Sequence, residues 1–130
     1  MGMLSAVLRN LAGGGLAFRC PGCQEAHVVY VGGDGPGPRS RWEWDGNVER
    51  PTFSPSILVT GADFTEAGRA AYEAWYAAGC PNGGVPAEGF ERRDTRCHSF
   101  VRDGQIEFLG DCTHALAGQT VPLPAWPGSA

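Results

Sequence analysis

The stretch RCHSFVRDGQIEFLGDCTH, residues 96–114, sets two cysteines, two histidines and two aspartates around a single hairpin signal. Asp103-Gly104 is a two-residue turn dipeptide, since both central positions of such a turn need the left-handed backbone that Asp tolerates and Gly prefers. The turn predicts pairs Arg102–Gln105, Phe100–Glu107, His98–Leu109 and Cys97–Gly110. Side chains alternate along a strand, so Cys97, Ser99, Val101, Ile106, Phe108 and Cys112 share one face. His98, Phe100, Glu107 and Asp111 share the other. Cys97 and Cys112 then meet at the open end of the hairpin, within reach of a common ion.

The chain has five cysteines, an odd count, and Cys20 and Cys23 form a C-x2-C pair. In a reducing compartment such a pair points to metal rather than to disulfides. Zinc takes four tetrahedral ligands from thiolate and imidazole, commonly one knuckle pair plus a second pair from elsewhere. The expected ligands are Cys20, Cys23, Cys97 and Cys112, holding Zn2+. His27, His98, His114 and Asp111 lie beside these positions and allow three further readings. They hydrogen-bond the ligands from outside, or one histidine replaces a cysteine, or together they hold a catalytic metal with a position open to water. Cys97, His98 and Asp111 are also the residue types of a thiol hydrolase, but neighbours on one strand point to opposite faces, which argues against a Cys97–His98 pair. Cys80 has no evident partner.

The remaining sequence reads as short strands and turns, in keeping with twenty glycines and ten prolines. SAVLRNL, LAFRC and AHVVYV read as strands, with CPGC as the knuckle between the last two. GGDGPGPRS, residues 32–40, is expected as an exposed, mobile loop. Trp42 and Trp44 precede an extended RPTFSPSILVTG, in which Thr52 and Ser54 face a ligand or, on the plainer reading, form a rigid proline-bounded edge. ADFTEAGRAAYEAWYAAG changes to helical period, with Asp63 or Thr65 as cap, Gly79 as stop, and Tyr72 and Trp75 as core anchors. CPNGGVPAEGFERRDT is expected as a long loop, and GQTVPL as a closing strand. Trp126 is either a packed lid or a partner contact. The expected architecture is a single zinc-binding domain over residues 1–130, α+β and β-rich, with a zinc-ribbon-like knuckle and hairpin core and one helix.

A net charge of −4 gives no general footprint for nucleic acid. Arg92, Arg93 and Arg96 are read as a solvated loop. No secretory signal and no apolar run of about 20 residues is found, so no membrane partner is expected and a bacterial cytoplasmic location is.

FRCPGCQEAHVVYV, RPTFSPSILV and above all CHSFVRDGQIEFLGDCTHALAGQTVPLP resemble a family of small proteins common in tailed phages and prophages, often mislabelled ammonia monooxygenase. Relatives are encoded beside bacterial ubiquitin-like conjugation genes. The resemblance implies a link to protein modification or to defence and counter-defence. It marks Cys20, Cys23, His27, Cys97, His98, Asp111, Cys112 and His114 as motif positions and implies no particular activity. The leading expectation is a phage-derived zinc-binding accessory protein, a protein-interaction or anti-defence module with a protein partner. The alternatives are a peptidase-like metal-dependent hydrolase using His27, His98, Asp111 and His114, and a structural virion component.

Overall fold

The computed structural model describes residues 2–32, 41–86 and 89–128. The loop expected at 32–40 lies, apart from Gly32, outside the described residues. The described residues are β-rich, with two antiparallel sheets and one helix, in keeping with the α+β expectation. The first sheet has the order β1 (Gly2–Met3), β2 (Arg9–Leu11), β3 (Gly15–Cys20), β4 (Glu25–Tyr30). The second runs β5 (Glu43–Trp44), β6 (Phe53–Phe64), β7 (Arg92–Arg102), β8 (Gln105–Phe108), β9 (Thr120–Pro122).

The chain divides into two compact units, Met1–Val59 with Arg96–Ala130, and Thr60–Thr95. In the first unit the core is built from alternate residues of both sheets: Leu16, Phe18 and Val29, then Phe53, Ile57, Val101, Ile106 and Phe108. Hairpin β7–β8 keeps the expected register, with Arg102 opposite Gln105 and Phe100 opposite Glu107. Its inward face is the expected one, and Ser99, Val101 and Ile106 are fully buried. The turn is fastened from outside, because Thr52 Oγ1 accepts from the Asp103 N–H at 2.8 Å and Arg50 pairs with the Asp103 carboxylate at 2.8 Å. Thr52 therefore serves the hairpin, not a ligand.

Three expectations are corrected. SAVLRNL is not one strand: Ser5 Oγ accepts from the N–H groups of Val7 and Leu8, a local bond that diverts the backbone into a turn before β2. The loop expected before the hairpin ends early, since β7 already begins at Arg92, so Arg92, Arg93 and Arg96 sit on a strand. The ladder of β7 with β8 stops at Ser99–Phe108, so Cys97 does not pair with Gly110. Trp126 is packed: its indole N–H donates to the Val7 carbonyl at 3.1 Å, and the guanidinium groups of Arg9 and Arg19 lie 5.2 and 6.0 Å from its ring centroid.

In the second unit the helix α1 (Glu66–Ala77) is capped by Thr65, whose Oγ1 accepts from the Gly68 N–H at 3.1 Å. Gly68 is buried against the Glu91 backbone, where no side chain would fit. Phe64, Tyr72, Trp75 and Phe90 form an aromatic cluster with ring centroids 5.4 to 6.1 Å apart. No described helix is long and apolar enough to cross a membrane.

Candidate active site and metal cluster

Strand β7 separates two chemistries by the alternation of its side chains. Cys97 points inward and is buried; His98 points outward and keeps partial exposure. On the outer face the His98 ring lies between Ser56 of β6 and Asp111. Ser56 Oγ is 3.1 Å from His98 Nε2, and Asp111 Oδ2 is 3.4 Å from His98 Nδ1. A hydroxyl, an imidazole and a carboxylate in this order are the Ser-His-Asp arrangement of nucleophile, base and orienting acid.

The Asp111 carboxyl sits below the usual carboxylate range. Partial desolvation pushes it up, and this is outweighed by a backbone hydrogen bond, by Arg96 at 3.4 Å and by His98. A carboxylate kept ionised suits an imidazole that must accept a proton. Ser56 is presented by the strand itself: Phe53 and Ile57 point inward, which leaves Ser56 on the opposite face from Ile57. Its carbonyl accepts from the Trp42 indole N–H at 3.2 Å, which holds the backbone of the residue.

Ser56 was not among the expected site residues. The run PTFSPS drew attention to Thr52 and Ser54, and the available signal was only that Ser56 shares the outward parity of β6. Its pairing with His98 depends on β6 lying next to β7, a long-range neighbour relation with no local sequence mark.

On the inner face the knuckle between β3 and β4 brings Cys20 and Cys23 to Cys97. Cys20 Sγ and Cys97 Sγ are 3.8 Å apart, and the Cys23 N–H donates to Cys20 Sγ at 3.4 Å. Gln24, at φ 57°, closes the knuckle in the left-handed region. The potential donor atoms of Cys20, Cys23, His27 and Cys97 all lie within 4.8 Å of one another, close enough to bind a metal. A second group, Cys97, Cys112 and His114, shares Cys97 with the first. Cys112 is thus grouped with Cys97 and His114, and His27 joins the knuckle cysteines. Cys80 belongs to neither group.

The electrostatics of the first group fit a cation. Cys20 is pulled down to about 4, chiefly by the hydrogen bond from Cys97 and against burial, with help from His27 and the Cys23 backbone. Cys97 is pushed up by donating that bond and by burial, and Cys23 is pushed up to about 11 by burial and the charge on Cys20. One thiolate suppresses ionisation of the other two, which a shared divalent ion would reverse. His27 is buried beside Phe18, and its Nε2 meets no hydrogen-bond partner among the described residues. A buried imidazole nitrogen without a partner is costly unless something such as an ion engages it.

His114 differs. Its Nδ1 accepts from the Leu116 N–H at 3.2 Å, so the ring proton sits on Nε2, which is buried and unpartnered. The ring packs edge-on against Phe108, with centroids 4.4 Å apart, and over Gly22 of the knuckle, where any Cβ would collide with it.

A family model described as bacterial ubiquitination-like system serine protease (BubE) matches residues 2–109. No curated protein and no solved structure matches the chain. The match bears out the link to bacterial ubiquitin-like conjugation. It overturns the leading functional expectation, a phage-derived zinc accessory or anti-defence module, and with it the virion component. The peptidase-like alternative fits in part: the family is described as a serine protease rather than a metal-dependent one, and His98 lies between Ser56 and Asp111.

Proposed function

Because the chain belongs to the family of bacterial ubiquitination-like system serine proteases, we propose that it is a serine peptidase with Ser56 as nucleophile, His98 as general base and Asp111 as the carboxylate that orients His98. The observation that carries this reading is the unbroken contact series, 3.1 Å from Ser56 Oγ to His98 Nε2 and 3.4 Å from His98 Nδ1 to Asp111 Oδ2. Ser56 Oγ attacks an acyl carbon while His98 Nε2 takes its proton, and His98 then returns that proton to the leaving group. Water, deprotonated by the same nitrogen, then attacks the acyl carbon, and His98 passes that proton to Ser56 Oγ as the bond between Ser56 and the acyl group breaks. The substrate is an acyl bond on a protein component of the ubiquitination-like system, and that component is the protein partner. A net charge of −4 agrees with a partner other than nucleic acid.

The inner cluster is a structural zinc site held by Cys20, Cys23, His27 and Cys97. Three thiols and one imidazole match the donor preference of zinc. Cys112 and His114 are left out of this set because the four donors above group together without them, while these two group with Cys97 alone. A knuckle facing a hairpin strand is a zinc-ribbon-like arrangement. Reduced thiols in such a site suit the bacterial cytoplasm.

A fluorophosphonate probe, which reacts with activated serines, tests the reading by peptide mass spectrometry. The expected adduct is on Ser56, absent from Ser56→Ala and His98→Ala. Labelling confined to other residues of folded protein would refute it.

A further inference from the structure

The contact between His98 and Asp111 depends on how the chain returns after β8. Leu109 N–H donates to the His98 carbonyl at 2.9 Å, and the chain then turns, with the Cys112 N–H on the Leu109 carbonyl at 3.2 Å. No strand pairs with β7 at residues 96–98 on this side among the described residues. Two side chains stand in for one. Cys112 Sγ accepts from the His98 N–H at 3.3 Å and donates to the His98 carbonyl at 3.2 Å. Thr113 Oγ1 accepts from the Arg96 N–H at 3.0 Å and donates to the Arg96 carbonyl at 3.2 Å. The Thr113 N–H adds a bond to the Arg96 carbonyl at 2.9 Å.

Asp111 immediately precedes this pair, so the same clip that grips the backbone of the base also sets the carboxylate beside it. We propose that Cys112 is a positioning residue, whose thiol clips the backbone N–H and carbonyl of His98 and thereby fixes the distance from Asp111 to the imidazole. The inference rests on the Ser56–His98–Asp111 reading above.

The thiol is a weak donor and acceptor in water, but Cys112 is buried, and a buried backbone group has no water to replace a lost partner. The four donors that hold the zinc in the reading above do not include Cys112, so its removal leaves the metal in place.

The test uses the full chain with its native metal and follows fluorophosphonate labelling of Ser56 under saturating probe, so that the maximal rate constant and the probe concentration for half-maximal rate are read separately. For Cys112→Ala, a displaced base is expected to lower the maximal rate constant by roughly 10- to 100-fold. The half-maximal concentration and the metal content per chain stay unchanged. Cys112→Ser, which restores one donor and one acceptor, returns the rate to within about 3-fold of the original. Thr113→Val, which cuts the neighbouring clip, slows labelling in the same direction and decides the matter if Cys112→Ala does not fold. Labelling of Cys112→Ala at the original rate overturns the inference, as does loss of metal from it. Failure of the unsubstituted protein to label at Ser56 overturns the triad reading itself, a result seen before any Cys112 variant is compared.

Discussion

Removal of the proposed zinc is the perturbation whose size follows most directly from the chain path. Cys20 and Cys97 are 77 positions apart in sequence, and an ion joining them closes that loop in any state in which it remains bound. Treated as a cross-link, a loop of this length removes about 15 cal/mol/K of chain entropy from the unfolded state, or about 4.5 kcal/mol at 25 °C. With an unfolding entropy of about 2.1 cal/mol/K per residue over 130 residues, this corresponds to a fall in Tm of about 16 °C. The figure applies to an ion gripped equally in both states; any weaker grip by the unfolded thiols adds binding free energy to folding and enlarges the shift, so the figure is a floor. Differential scanning calorimetry with and without a high-affinity chelator, followed by restoration with zinc, measures it. A Cys80→Ser variant, altered outside both cysteine groups, is the control and should behave as the original. A chelator-induced shift below about 4 °C, smaller than the effect of about 1 kcal/mol in a domain of this size, would refute the cross-link argument.

Ser56→Ala should lower the turnover rate by about 10⁶-fold, the loss expected when a triad nucleophile is removed. Its Tm should move by no more than about 4 °C, since one partly exposed hydrogen bond to His98 is lost; circular dichroism melts check this. Ser99 is fully buried and its Oγ meets no partner among the described residues. Ser99→Ala should therefore hold or raise stability, by about 1 kcal/mol in denaturant titration, and a loss of stability would reveal a partner for that hydroxyl. Asp111 has a lowered pKa in the fold, so its contribution is complete above its unfolded value and fades only as pH falls through the folded one. Acidification from about pH 7 to about pH 5 should leave the carboxylate ionised, as read by NMR of its side-chain carbon.

The hairpin was legible because its information is local: Asp103-Gly104 sets the register, and the register assigns faces. That is why Cys97 and His98 fall on opposite sides of the strand. The surroundings of Cys97 were less legible. Alternation put Cys112 on the face of Cys97, where it groups with Cys97 and His114, and the turn after Leu109 also brings that thiol to the His98 backbone. His27 reaches the cluster because β4 faces β3 in register, with His27 opposite Phe18. Ser56 was least legible of all. Nothing near it in the chain marks it out, and the imidazole it meets lies 42 positions away on a neighbouring strand.

The hydrogen bond from the Trp42 indole to the Ser56 carbonyl gives the molecule an optical reporter of its own. Indole emission responds to the polarity and hydrogen bonding around the ring, and this ring is tied to the residue that would carry the acyl group. Of the four tryptophans, Trp44 is bonded to Asn47, Trp126 to Val7, and Trp75 lies in the other compact unit. A chain keeping Trp42 alone, with phenylalanine at the other three positions, would let acylation and its reversal be watched by stopped-flow fluorescence on unlabelled protein and unmodified substrate.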